Sequence, residues 1–307
     1  MSARAAVAPG AATPLRALAT LAMLAMVAGC AAVRPDGAGL RSNTLDEATP
    51  QALGQVIDAR REALRGLSGT GKLQVSVDEW RNGETVRDRL RASQAIVVER
   101  PASFRLEALS PFGVTYAVAS DGTQLSILIP GERTIYRGAA SAPTLGMATG
   151  VAASSAEVAE VLLGLPPVPA LSLRNAWVSR GREAGLATGD VPGEIEPTVL
   201  LHAYSDAAPG DTFVIGFAPL AGQDAVAAVL FERISADGEK LLEARFGNFR
   251  AIAGVPFASA VTVRTPKAEA ILQYADVTLN PTLDRGRFHL PTPAGMVEAP
   301  LLPPADG

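Results

Sequence analysis

Chemistry in this chain could reside in a glycine-rich run, in two histidines or in a single cysteine. The run "GLSGTGKL", Gly66 to Leu73, fits the phosphate-gripping pattern G-x-x-x-x-G-K-[S/T] up to its last place, where Leu73 stands instead of the hydroxyl that would hold magnesium. Phosphate binding also needs a strand before the loop and a helix after it, so that backbone N–H groups and the helix dipole face the anion. Here the order is reversed. Upstream, Thr49 is placed as an N-cap, Pro50 at the first helical position, and Leu53, Val56, Ile57 and Leu64 recur at helical spacing before Gly66. Downstream, "KLQVSVDEW" alternates apolar and polar residues as a half-buried strand does. The match is therefore accidental, and the glycines read as a helix-to-strand turn. His202 and His289 lie far apart with no spaced carboxylate or cysteine partner, and no G-x-S-x-G occurs. Acidic pairs such as Asp78-Glu79 read as solvated turn residues. Neither catalysis nor a metal site is expected.

The cysteine is more informative. Arg4 and Arg16 precede the apolar run "ALATLAMLAMVAG", Ala17 to Gly29, which has the length of a signal-peptide core and is too short to span a bilayer. The run ends in "VAGC", which resembles the lipobox of bacterial lipoproteins, and Cys30 is the chain's one cysteine. That resemblance implies cleavage before Cys30 and acylation of its thiol. More than one acyl chain, at about 0.8 kcal/mol per buried methylene, separates stable from reversible anchoring. Ala31 stands where an inner-membrane retention signal would place Asp, so the likeness to Gram-negative lipoproteins implies the periplasmic face of the outer membrane. Residues 1–29 are read as a lipoprotein signal peptide and 30–48 as the acylated cysteine with a flexible linker. No cofactor is expected beyond the covalent lipid on Cys30.

The elements that follow must position anything else. A hydrophobic content of 48% with 19% charged residues suffices for a buried core over 307 residues. A net charge of -4 with no run of lysine or arginine argues against a nucleic-acid partner. Asn82-Gly83 marks a hairpin turn, and "SFRLEAL", "VTYAVAS", "QLSILI" and "RTIYRG" are strands separated by "SPFG", "DGT" and "PGE", the pattern of an antiparallel meander. Ser154 with Glu157 three places on forms a capping box for a helix whose apolar face is Val158, Val161 and Leu162, stopped by Gly164. After a Gly/Pro/acidic insert, Arg182 to Pro197, strands resume from "TVLLHAYS" to "AEAILQYADVTLN". About ten strands with two helices would close into a barrel or stay open under those helices. Only 5% of the chain is aromatic, against the aromatic girdles of a membrane barrel. Residues 49–296 are expected to form one domain, monomeric, and 297–307 a disordered Pro-rich tail.

The motifs "FRLEALSPFG" and "AEVAEVLLGLPPVPALSLRNAWVSRG", and later "FGNFRAIAGVPFASAVTVRT" with "VTLNPTLDRGRFHLPTP", resemble the LolA/LolB lipoprotein carrier superfamily, on its LolB-like outer-membrane side. The resemblance spans roughly Leu53 to Gly181 and Arg245 to Pro293. It implies a mainly β, α+β fold: an open, curved antiparallel half-barrel with helices covering an apolar concave face. It further implies that acyl chains of lipoproteins or lipids are sheltered there and placed in the outer membrane, with acylated cargo and a periplasmic carrier as donor. Phe112 matches the family's protruding-loop hydrophobe, shaped by Pro111 and Gly113; an aromatic beside a turn also folds back over a core edge, and both readings stand. Val158, Val161 and Leu162 are either lid or plain core. Trp177 either packs or lines the cavity mouth. The competing expectation is a non-catalytic envelope lipoprotein using the same fold as a protein-binding scaffold in outer-membrane assembly.

Overall fold

In a computed structural model the protein is described over residues 40, 42–81, 84–149, 152–168, 172–180, 193–204 and 210–301. Residues 1–29, read as a signal peptide, Cys30, most of the expected linker and the expected turn at Asn82-Gly83 lie outside the described residues. From Gly39 onward the chain is one compact unit. Among the described residues no helix is long and apolar enough to cross a membrane.

The unit is built on one sheet of fourteen strands. They are β1 (Gly66–Arg81), β2 (Glu84–Glu99), β3 (Ser103–Ser110), β4 (Gly113–Ser120), β5 (Gln124–Ile129), β6 (Thr134–Ala139) and β7 (Ser172–Arg180). There follow β8 (Val199–Tyr204), β9 (Thr212–Pro219), β10 (Val226–Ile234), β11 (Lys240–Ile252), β12 (Val255–Arg264), β13 (Ala268–Leu279) and β14 (Val297–Pro300). The order is β14-β6-β5-β4-β3-β2-β1-β13-β12-β11-β10-β9-β8-β7, so each half of the chain is a meander and β1 pairs with β13 to join the two halves. All pairings are antiparallel except that of β14 with β6. Side chains from β5 at one flank to β8 at the other enter one apolar cluster with the helices, which a flat sheet of this width would not allow. The open, curved, helix-covered antiparallel sheet is the fold class expected.

Three helices lie on the inner face: α1 (Pro50–Ala63), α2 (Ala142–Thr149) and α3 (Ser155–Leu162). Thr49 caps α1 by accepting from Ala52 N, and the Ser154/Glu157 capping box of α3 is present in both directions. Leu53, Val56 and Ile57 of α1 and Ala159, Val161 and Leu162 of α3 enter the core beside Val98, Phe104, Phe213 and Phe217. The small-residue run that forms α2 shows no apolar periodicity and was not expected as a helix; Ser141 caps it, its hydroxyl accepting from Thr144 N (3.4 Å), and Leu145 enters the core.

Several expectations need correction. Gly66 to Gly71 are not a turn: β1 already begins at Gly66. The glycines are needed because β13 comes close: a Cβ on Gly71 would lie 2.7 Å from the Gln273 carbonyl oxygen, and the register shifts between Gly69 and Gly71. The linker is ordered before residue 48, since Ser42–Glu47 makes a 3-10 turn that buries Leu45. The tail is not disordered from residue 297, because Val297–Pro300 pairs in parallel with Thr134–Arg137 and covers the edge of β6. Phe288 and Leu290 pin the preceding segment; Leu290 joins Ala117, Ala119 and Ile135 in a small outer-face cluster. The end of the insert is likewise docked: Asn248 N donates to Gly193 O, and Glu194 pairs with buried Arg245. Gly216 and Gly247 make room, since Cβ atoms there would meet Pro197 at 2.7 Å and the Gly193 carbonyl at 2.6 Å.

Candidate functional site

Pro111 and Phe112 are the two residues joining β3 to β4, whose last pair is Ser110 with Gly113. The Ser110 hydroxyl donates to Gly113 O (3.0 Å) and accepts from Phe112 N (3.2 Å), closing the loop on itself. Gly113 has φ 116°, a conformation that side-chain-bearing residues resist, and proline limits φ at the loop's first position. The loop thus leaves Phe112 no route back to the sheet. Its side chain is 100% exposed, above the cross-strand pair Leu109 (38% exposed) and half-buried Val114. Of the two readings of Phe112, the protruding one is found.

The same end of the sheet carries a second apolar feature. Ser93 of β2 pairs with Leu109, so the part of β2 that precedes Ser93 runs beside and beyond the Phe112 loop. Leu90 there is 61% exposed and lies opposite half-buried Val75, on the strand face that further along holds Ile96 and Val98 in the core. Leu73 and Val77 are half-buried on that row too. The inner face therefore changes along its length. Where β1 starts, helical side chains fill it; towards the β1–β2 turn an apolar row remains partly uncovered.

Val158 is half-buried and packed on the core, and Val161 and Leu162 are each 8% exposed, so the expected lid face is itself core. Of the two readings of Trp177, packing is the one found. It pairs with His202 across β7 and β8, while Ala176 and Val178, its neighbours, face the inner cluster. The two-residue period of a strand then puts Trp177 on the outer face, away from any cavity mouth. There it stacks on His202 (4.7 Å, 1° between planes) and tilts against Tyr204 (6.0 Å). Ser179 Oγ lies 2.9 Å from His202 Nε2, and partial burial pulls the imidazole below its ordinary value of 6.5. His202 shares the outward face of β8 with its partner Trp177 on β7. The side chain of Trp80 lies outside the described residues.

Polar groups fix α3 over the sheet, and sequence periodicity gave no signal for them because their partners are distant in the chain. Glu160 is shared by Arg61 (2.7 Å) and Arg100 (3.5 Å), and Arg61 also donates to Val168 O (2.6 Å). Burial pushes the Glu160 carboxyl up, against the pull of the two arginines. Tyr274 donates from its buried hydroxyl to Leu162 O (2.5 Å), and Ser155 and Ser120 hydroxyls meet at 3.0 Å. At the other end of α3, Glu157 lies 3.6 Å from Arg233 of β10. These contacts can hold a helix in place over an apolar face; they assemble no nucleophile, base or metal cage.

The chain matches no protein-family profile and no curated protein. Among solved structures it is similar to a LolA superfamily protein from Nitrosomonas europaea, at 13% identity over 79% of this chain and 98% of that one, with a TM-score of 0.42. It is similar at 10% identity to a DUF1329 family protein from Desulfovibrio piger, over 79% and 98% of the two chains, with a TM-score of 0.42. A third is a domain described as an outer membrane lipoprotein-sorting protein, from Vibrio parahaemolyticus, at 11% identity over 79% and 96%, with a TM-score of 0.40.

Proposed function

We propose that this chain is a lipid-anchored envelope protein that shelters acyl chains of lipoproteins or lipids against the inner face of its sheet and passes them to the outer membrane, without catalysis and without a cofactor. The observation that carries the reading is the fully exposed Phe112 at the end of the sheet where the inner apolar row of Leu73, Val75 and Leu90 is left partly uncovered. Exposed acyl chains are unfavourable in water, and an apolar surface that is covered when empty offsets this. An apolar tip beside that surface suits insertion into a bilayer at the point of transfer. In this reading Cys30 carries the anchor, the periplasmic face of the outer membrane is the site of action, and acylated cargo arrives from a periplasmic donor.

A second reading is favoured by the filling of the inner face near the start of β1, where Leu53, Ile57, Leu162 and Leu163 pack among the strands. A packed interior suits a scaffold that binds a protein partner. One experiment separates the two. The full chain, produced with its own N-terminal residues, is purified from the envelope; bound lipids are extracted and identified by mass spectrometry, and crosslinking to an acylated lipoprotein is attempted. Lipid or cargo at near-equimolar yield is expected. A lipid-free protein that takes up neither acylated cargo nor a neutral apolar dye would overturn the carrier reading in favour of the scaffold. Loss of palmitate labelling in Cys30→Ser tests the anchor.

A further inference from the structure

Arg60, in the last turn of α1, is 9% exposed and has no carboxylate partner among the described residues. Its guanidinium carries five N–H donors. One hydrogen bond is made, from Nη2 to Pro256 O at 3.0 Å, and the group sits over the Phe249 ring, 5.6 Å from its centroid. Nε is buried with no partner. The Nε atoms of Arg61 and Arg100 are likewise buried and unpartnered, but these two arginines have a carboxylate: they share Glu160, the acid that α3 turns towards α1, and Asp58 adds a solvent-exposed contact at 3.9 Å to Arg61. Burying a cation without a counter-ion costs several kcal/mol. The strain shows in the group itself, since burial lowers its pKa to about 10. The carbonyl ends of α1 offset only part of this, being equivalent to about half a negative charge.

The surroundings suit an amphiphile. Phe249, Ile252 and Val255, around the β11–β12 turn, are half-buried apolar side chains packed against the main cluster. A guanidinium with unused donors thus lies beside an apolar wall that is not fully covered. We propose that Arg60 is the recognition group for the anionic head, carboxylate or phosphate, of an amphiphile whose chain lies along Phe249, Ile252 and Val255. This inference rests on the lipid-binding reading above and narrows it from any acyl chain to one with an anionic head. A planar fork of donors matches both head groups, and bonds of this charge-assisted kind are the stronger class.

The test uses the Gly39–Gly307 unit and the neutral dye N-phenyl-1-naphthylamine, displaced by three twelve-carbon competitors: laurate, dodecyl phosphate and dodecanol. Laurate or dodecyl phosphate is expected to displace the dye at a concentration about tenfold or more below that of dodecanol, the worth of charge-assisted hydrogen bonds. Whichever of the two is stronger identifies the head group. Acetate and inorganic phosphate form the free-anion arm; stronger displacement by either than by its twelve-carbon counterpart would refute the amphiphile. In Arg60→Met the preference should fall to within about twofold, and Arg60→Lys should keep part of it. Displacement by dodecanol equal to that by both laurate and dodecyl phosphate in the unaltered protein overturns the assignment of Arg60, and this outcome needs no variant to fold. Failure of the dye and of every competitor to bind would instead sink the lipid-binding reading beneath it.

Discussion

Phe112→Ser separates stability from function more cleanly than any other substitution here. The side chain is 100% exposed and its loop is closed by Ser110 and Gly113, not by the ring, so folding gains nothing from the phenyl group. Thermal and urea unfolding of the variant should match the unaltered protein within about 0.5 kcal/mol, the range for surface changes away from special features. If the ring enters a bilayer during transfer, removing it forfeits about 1.5–3 kcal/mol of burial. That corresponds to a fall of tenfold to about a hundredfold in partitioning. The assay is flotation of the Gly39–Gly307 unit with phospholipid vesicles, beside delivery of an acylated lipoprotein to the same vesicles. Loss of vesicle binding and delivery at unchanged stability is the expected pattern. A clear drop in unfolding midpoint would show that the ring packs on the protein, and unchanged flotation and delivery would show that it touches no membrane; either result refutes the reasoning.

Other perturbations probe the frame. Tyr274→Phe strands the Leu162 carbonyl in the core and should cost about 1–3 kcal/mol in urea unfolding, since a buried acceptor loses its only donor among the described residues. In a Trp80→Phe background, Trp177 fluorescence should be quenched as His202 protonates beneath it, with a midpoint below 6.5. Because the folded value is depressed, the contribution of this histidine to stability is present above pH 6.5 and is lost as pH falls through the folded pKa; a midpoint at or above 6.5 contradicts this. Truncation after Gly295 removes β14 together with the Arg137–Glu298 ion pair (3.1 Å) and uncovers β6, so size-exclusion chromatography should show oligomers that the complete unit lacks. Gly247→Ala should loosen the docked end of the insert, detected as faster proteolysis near Gly193, because the added Cβ would collide with the Gly193 carbonyl.

Much of the strand order was legible because alternation and turn residues are local signals. "SPFG", "DGT" and "PGE" end the strands they were expected to end, and the Ser154/Glu157 box starts its helix because capping depends on residues three apart. Glycine misled at Gly66–Gly71, where its role is set by β13, about two hundred places further on in the chain. Val297–Pro300 looks like a loose tail until β6 offers an open edge. Composition and local spacing by themselves determined a β-rich chain with an N-terminal helix, a capped second helix and one cysteine at the end of an apolar run. Only the tertiary structure decided that Phe112 stands free, that Trp177 faces outward and that Arg60 is buried with no carboxylate partner among the described residues. Those outcomes depend on which distant surfaces meet, and no local pattern of residues records that.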